Sequence, residues 1–159
     1  MCIRDRRWAL HERLARLPDR EISLGTKWPI VYVQAMRSFQ GLYDGEWETW
    51  RVNTMVEKTF KLRLVGDLSV QLLGGMADTE APMPFLYNLR GTGGKLFQIS
   101  TDNTFQTMRP NEFLADRYVS AHVRHSFGTL LLKGKHFRPK PSIFASAAFG
   151  EMQSPENHR

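Results

Sequence analysis

The sequence has little cysteine and no long hydrophobic run. Its single cysteine, Cys2, excludes an intrachain disulfide and a zinc site built from cysteines. The longest unbroken aliphatic or aromatic runs are Ile30 to Val33 and Leu130 to Leu132, whereas a membrane-spanning helix requires about 20 apolar residues. Membrane residence would therefore require a β-barrel, since only helices and closed barrels satisfy every backbone polar group in lipid.

Motifs for nucleotide binding, metal binding or nucleophilic catalysis are also missing. Gly91 to Lys95 is rich in glycine, but a P-loop would need glycine in place of Leu89 and serine or threonine in place of Leu96. His122 and His125 are three residues apart, so on a strand their rings point to opposite faces. No serine lies in a nucleophile elbow or a triad-like context. We therefore expect no enzymatic activity, no cofactor and no metal.

The composition is that of one folded domain with a basic surface. The chain has 159 residues, 42% of them hydrophobic, and a formal net charge of +6, so anionic partners are electrostatically permitted. The dense basic cluster is Lys133 to Lys140 (KGKHFRPK). A solvated loop is the simplest interpretation of this cluster. Its candidate anion-contacting residues are Lys133, Lys135, Arg138 and Lys140.

Polar and apolar residues alternate from Asn111 to Phe127 (NEFLADRYVSAHVRHSF). This period of two is typical of a β-strand, and it places Val119, Ala121 and Val123 on one face. Such a strand fits a soluble sheet packed on a core, and it fits equally a membrane barrel with a polar lumen. The opposite face carries Asp116, Tyr118, Ser120, His122 and Arg124.

Further strands are predicted at the spacing of an antiparallel meander. They are Trp28 to Phe39, Glu46 to Lys58, Lys61 to Gly74 and Ser142 to Phe149, with an Asp-Gly turn in Gln40 to Gly45. The sequence therefore predicts an all-β, antiparallel fold. In the third of these strands an apolar stripe would face lipid or a core: Leu64, Leu68, Val70 and Leu72.

The charged faces of these strands suggest a polar network. Asp116 shares its face with Ser120, His122 and Arg124, and basic or acidic residues of neighbouring strands could pair with it. The alternative is an ordinary solvent-exposed sheet face. Arg117 has the apolar parity, so we expect it near a strand end. The candidate lumen network comprises Asp116, Ser120, His122, Arg124, Arg51, Arg63 and Asp67.

Four segments together resemble a known family. They are Ile22 to Pro29 (ISLGTKWP), Pro82 to Leu86 (PMPFL), Asn111 to Ser120 (NEFLADRYVS) and His125 to Gly128 (HSFG). The sequence resembles the C-terminal region of a Bacteroidetes-type outer-membrane family of unknown function, often preceded by a carboxypeptidase-regulatory-like domain. That family is distantly similar to the surface-antigen barrels BamA and TamA. It commonly has two histidines before Phe-Gly, whereas here Ser126 follows His125.

The resemblance implies a location in the cell outer membrane and an incomplete transmembrane β-barrel. It implies a non-enzymatic segment with an envelope assembly or transport role. The expected partners are outer-membrane lipid and envelope proteins or lipopolysaccharide, with no nucleic acid. The alternative is a soluble β-rich domain that binds an anionic polymer such as nucleic acid through the basic loop.

The organisation along the chain follows from these expectations. Residues 1–6 (MCIRDR) are typical of translated sequencing-adapter sequence. Residues 7–27 form a strand end or a short helix, followed by a loop. Residues 28–151 form the partial β-barrel domain, and residues 152–159 form a frayed tail.

Overall fold

A computed structural model describes residues 2–41, 47–63, 65–91, 104–105, 107–109, 111–128 and 141–153. In these ranges no helix has the length and hydropathy to span a membrane, and the one short 3-10 helix is Met83–Phe85. The strands are β1 (Cys2–Ala9), β2 (Leu14–Arg16), β3 (Glu21–Ser23), β4 (Ile30–Ser38), β5 (Thr49–Leu62), β6 (Gly66–Ala77), β7 (Tyr87–Asn88), β8 (Leu114–Ala115), β9 (Arg117–Ser126) and β10 (Ser142–Glu151).

Six strands form one antiparallel sheet in the order β1-β4-β5-β6-β9-β10. Two short pairs, β2 with β3 and β7 with β8, accompany it. The predicted all-β, antiparallel fold is confirmed, and β4 and β5 pair across the predicted Asp-Gly turn, whose residues 42–46 lie outside the described ranges. The chain leaves the six-stranded sheet after Ala77, the last residue of β6, and re-enters it at Arg117, the first residue of β9, which pairs with β6.

The second hairpin turns later than the sequence pattern suggests. β5 extends to Leu62 and pairs there with Gly66, so the single strand predicted from Lys61 to Gly74 is wrong. Gly66 has φ +103°, and a Cβ on it would lie 1.9 Å from the Ser126 carbonyl oxygen. Only glycine fits this corner, because other residues are strained at positive φ and the neighbouring backbone leaves no space.

The chain before β4 contains strands rather than a helix. β1 pairs with β4 from Cys2 opposite Arg37 to Ala9 opposite Ile30. The helical alternative for residues 7–27 is therefore wrong, because the backbone groups of β1 bond to another strand. Residues 2–6 are part of β1.

The two faces of the six-stranded sheet differ in chemistry and in burial. The polar face is defined by Arg51, Asn53, Glu57, Gln71, Ser120 and His122, and described residues of the segment 78–116 cover part of it. Contacts of Tyr87 with Tyr118 and of Phe105 with His122 make this cover. The core lies there, since the buried hydrophobic residues are Ala77, Ala81, Leu86, Tyr87, Leu89, Phe105 and Ala115.

The apolar face is exposed on β9 and β10 and half-buried at Val52 and Val56 of β5. It is defined by Val52, Val56, Leu72, Val119, Val123 and Phe149, which share one parity in the strand register. Val119 is 62% exposed and Phe149 is 75% exposed. On β9 the sheet thus buries the polar Ser120 and His122 and exposes Val119 and Val123, the reverse of the usual soluble arrangement.

Candidate functional site

A row of polar side chains crosses the polar face from strand to strand. Arg7 Nε of β1 donates to the Tyr32 hydroxyl of β4 at 3.3 Å, and that hydroxyl lies 3.2 Å from Glu57 Oε1 of β5. Gln71 Nε2 of β6 donates to Glu57 Oε2 at 3.3 Å. Both oxygens of Glu57 are therefore engaged, and four strands are joined by side chains as well as by backbone bonds.

The same row continues across β9 and β10. His122 is the register partner of Gln71, and Ser146 is the register partner of His122. His122 Nδ1 and Ser146 Oγ are 2.8 Å apart. The other side of the imidazole contacts Phe105, with ring centroids 5.1 Å apart. His122 is 8% exposed, so its ring is held by a polar contact and by an aromatic one.

The outer end of the row is anchored by an ion pair. Arg7 binds Glu12 with two bonds, of 2.8 Å to Oε2 and 2.6 Å to Oε1, and Ser23 Oγ also donates to Oε1. The bond from Arg7 and then the bond from Ser23 lower the pKa of Glu12 to about 2. Glu12 therefore stays ionised well into the acid range, and it ties β1 to the β2–β3 hairpin.

A tyrosine fastens the segment 78–116 to the sheet. The Tyr87 hydroxyl donates to the carbonyl oxygens of Val52 at 2.7 Å and Met76 at 3.2 Å. Arg51 lies over the Tyr87 ring at 4.1 Å, and Arg51 Nη1 donates to the Phe85 carbonyl at 3.3 Å. Burial raises the pKa of the Tyr87 hydroxyl above its usual value, so this hydroxyl remains a donor at neutral pH.

A pocket of about 410 Å³ lies between the polar face and the covering segment. Two arginines, four aromatic residues, amides and hydroxyls surround it, and no Asp or Glu of the described ranges lines it. Its lining residues are Tyr32, Gln34, Arg51, Asn53, Thr54, Met55, Leu73, Tyr87, Asn88, Leu89, Arg90, Phe105, Tyr118, Ser120 and His122.

The candidate lumen residues are distributed along the length of the polar face. Ser120 and His122 lie in the pocket. Arg124 has the same parity, opposite Ser69, and Asp67 lies opposite Ser126 at the far end of the strands. These residues share one face, but only some of them are neighbours.

Two members of the predicted network have other surroundings. Arg63 lies in the turn between β5 and β6, so its placement on a strand face is wrong. Asp116 lies between β8 and β9, is fully buried, and its Oδ2 accepts a 2.9 Å bond from the Gln153 backbone N–H. Its Oδ1 has no hydrogen-bond partner in the described ranges. The expected pairing of Asp116 with Arg51 is absent, because Arg51 is engaged by Tyr87 and Phe85.

Several residues of the site escaped the sequence-based selection. Glu57 and Gln71 lie on the polar side of the alternating pattern in their predicted strands. This alternation could have indicated that both residues belong to the site. Tyr32 lies in an apolar run whose parity is ambiguous, and Tyr87 lies in a short apolar segment without a periodic pattern. The candidate residues Lys133, Lys135, Arg138 and Lys140, and Leu64 of the apolar stripe, lie outside the described ranges.

Among the described residues no cluster of three or more His, Cys, Asp or Glu could hold a metal ion.

Comparison of the sequence with known proteins identifies the family and nothing more specific. No curated protein and no solved structure matches the chain. The model of the C-terminal domain of a family of unknown function (DUF5686) matches residues 5–150. Two expectations stay predictions: the similarity to surface-antigen barrels and the presence of an N-terminal regulatory-like domain. The chain belongs to the DUF5686 family as its C-terminal domain.

Proposed function

We propose that this chain is a segment of a non-enzymatic outer-membrane β-barrel with an envelope assembly or transport role. The observation that carries the proposal is the reversed burial of the six-stranded sheet. Leu72, Val119 and Phe149 are exposed on the apolar face, while Ser120 and His122 on the polar face are buried. In a barrel the exposed face would contact lipid, and the polar face would line the lumen.

The height of the apolar face supports this proposal. Ten residues separate Val52 from Leu62 on β5, which is about 34 Å along an extended strand. A tilt of about 45° reduces this to about 24 Å, close to the apolar band of about 25 Å of outer-membrane barrels. Trp50 and Phe60 lie towards the two ends of β5 and are both exposed. Aromatic residues at these levels fit the two interfaces of a bilayer.

Charged residues on the apolar face lie mostly at strand ends. Arg117 is the first residue of β9, and its register partner Glu151 is the last residue of β10. Lys58 lies nearer the middle, but its Nζ is 5.0 Å from the Phe60 ring centroid. Its ammonium group is thus directed towards the end of the strand, as a snorkelling lysine would be.

β1 departs from the apolar pattern. Arg4 and Arg6 have the parity of the apolar face, and both are exposed. This departure is limited to β1. The remaining strands of the sheet keep the apolar pattern, so the proposal is based on β4, β5, β6, β9 and β10.

The experiment is to express the complete coding sequence with its native signal and to fractionate the envelope. We expect the protein in the outer-membrane fraction, with a gel mobility that changes on heating because folded barrels resist detergent. A β-barrel protein and a periplasmic protein of the same host serve as controls. Recovery in the soluble fraction with a mobility unchanged by heating would refute the proposal, and the anion-binding alternative would then be preferred.

A further inference from the structure

The pocket on the polar face carries positive charge that no acid of the described ranges neutralises. Arg51 and Arg90 both line it, and within the described ranges neither forms an ion pair with a carboxylate. Arg51 Nε is buried and has no hydrogen-bond partner there. A buried guanidinium N–H without a partner is costly, so the site favours a ligand that brings an anionic group.

The rest of the lining suits a hydroxylated ligand. Asn53 Nδ2 donates to Gln34 Oε1 at 3.0 Å, while the buried Asn53 Oδ1 has no partner in the described ranges. That oxygen can accept a bond from a ligand hydroxyl. Tyr118 and Ser120 add hydroxyl groups to the same lining. An inorganic anion without a hydroxyl group, such as sulfate, would leave the Asn53 acceptor without a donor.

Aromatic rings provide apolar surface beside these polar groups. Tyr87 and Tyr118 contact each other with centroids 4.7 Å apart, and Tyr32 and Phe105 also line the pocket. Flat apolar surface next to convergent hydrogen-bonding groups can accommodate the C–H face of a sugar ring and its hydroxyls together. The volume of about 410 Å³ lies within the range of small-molecule sites.

We infer that this pocket binds a sugar acid, with its carboxylate on Arg51 and Arg90 and its hydroxyls on Asn53 and Tyr118. The pocket is built from residues of this chain on the face opposite the apolar one. The inference therefore goes beyond the proposed barrel and does not depend on lipid contact.

The test is calorimetric titration of the chain with D-glucuronate, D-glucose and inorganic sulfate. The chain is prepared in buffer or in detergent micelles, whichever keeps it monodisperse, so the result for the sugar is separate from the result for lipid. We expect glucuronate to bind at least about tenfold more tightly than either glucose or sulfate, since only glucuronate of the three satisfies both the arginines and the amide. Equal binding of sulfate or of glucose, or no binding of glucuronate, would overturn the inference.

Variants assign the binding to this pocket. Arg51→Gln should weaken glucuronate binding by about tenfold or more, as expected for loss of a charged hydrogen bond. Arg90 is exposed, so Arg90→Gln tests the charge without disturbing the packing around Tyr87. Arg37→Gln is the matched control, because Arg37 has the opposite parity on β4 and pairs with Glu48. Unchanged affinity in both Arg51→Gln and Arg90→Gln, or equal loss in Arg37→Gln, would refute the assignment.

Discussion

The covering segment packs closely on Gly75. A Cβ at this position would lie 2.6 Å from atoms of both the Tyr87 and Tyr118 rings. Gly75→Ala should therefore destabilise the fold by about 1–3 kcal/mol, the usual cost of overpacking. Urea unfolding monitored by tryptophan fluorescence measures this loss.

Gly74 supplies the matched control for that substitution. It points to the apolar face, and the nearest atoms to an added Cβ are 3.7 Å and 4.0 Å away. Gly74→Ala should leave the free energy of unfolding unchanged or raise it slightly, because alanine restricts the unfolded chain. Equal losses in Gly74→Ala and Gly75→Ala would contradict the packing of Tyr87 against the sheet.

Glu12 should make the N-terminal hairpin sensitive to acid. Its pKa falls from an ordinary 4.5 to about 2 when Arg7 and Ser23 bind it. A lowered carboxylate pKa stabilises the folded state above the unfolded value, and this stabilisation is lost as the pH falls through the folded value. Proteolysis of residues 10–28 by an acid protease should therefore accelerate between about pH 4.5 and pH 2.

Two variants separate this effect from general acid unfolding. Glu12→Gln should remove the acceleration in that pH window and leave the segment less protected throughout it. Glu21→Gln is the control, since Glu21 forms an exposed pair with Arg16 that contributes little. An acid profile of Glu12→Gln identical to that of the unaltered chain would show that this ion pair does not hold the hairpin.

Residue parity predicted one part of the site and failed for another. Ser120 and His122 lie on the polar face as expected, because an uninterrupted strand fixes the side of every side chain. The position of Asp116 cannot be predicted from parity, because this residue lies at the junction of β8 and β9, where the backbone leaves one strand pair for another. Its partner, the Gln153 N–H, is 37 residues away, and no local pattern indicates such a contact.

At the scale of elements, Tyr87 should control how firmly the segment 78–116 is held. Tyr87→Phe keeps the ring and removes the bonds to the Val52 and Met76 carbonyls. We expect a loss of about 1 kcal/mol and faster hydrogen exchange in residues 78–91. The control is Tyr118→Phe, which leaves the two Tyr87 bonds intact. Equal exchange rates for Tyr87→Phe and the unaltered chain would refute this role.

The hairpin between β5 and β6 shows how an element boundary escapes sequence-based prediction. Apolar alternation continues on both sides of the corner, so Lys61 to Gly74 looked like one strand. A glycine inside an alternating run is also a turn signal, and Gly66 supplies it here with a positive φ. The pairing of β4 with β5 was easier to predict, because an Asp-Gly turn signal lies between two alternating runs.

For the whole molecule, the central question is which medium covers the apolar face. Alternation alone could not decide it, since a soluble sheet and a barrel strand share the same period. Leu72 is 49% exposed on this face. If lipid covers this face, Leu72→Arg should lower the free energy of unfolding by about 2–4 kcal/mol near the bilayer midplane. If water covers it, a substitution at such an exposed position should change the free energy of unfolding by no more than about 0.5 kcal/mol.

Leu24→Arg controls for the added charge, because Leu24 is 67% exposed outside the sheet. Both variants are compared by urea unfolding of the complete protein in phospholipid vesicles. We expect a large loss for Leu72→Arg and almost none for Leu24→Arg. Near-neutral values for both would indicate that water covers the apolar face.

The polar row has a consequence for how the strands find their alignment. A slip of one residue would turn the apolar side chains to the wrong face, but a slip of two would leave both faces unchanged in character. Such a slip displaces neighbouring strands by about 7 Å, so Arg7 would no longer lie directly opposite Tyr32, nor Gln71 opposite Glu57. The hydrophobic pattern thus rejects the odd misalignments, and the directly opposed pairs of the polar row favour the native register over the even ones.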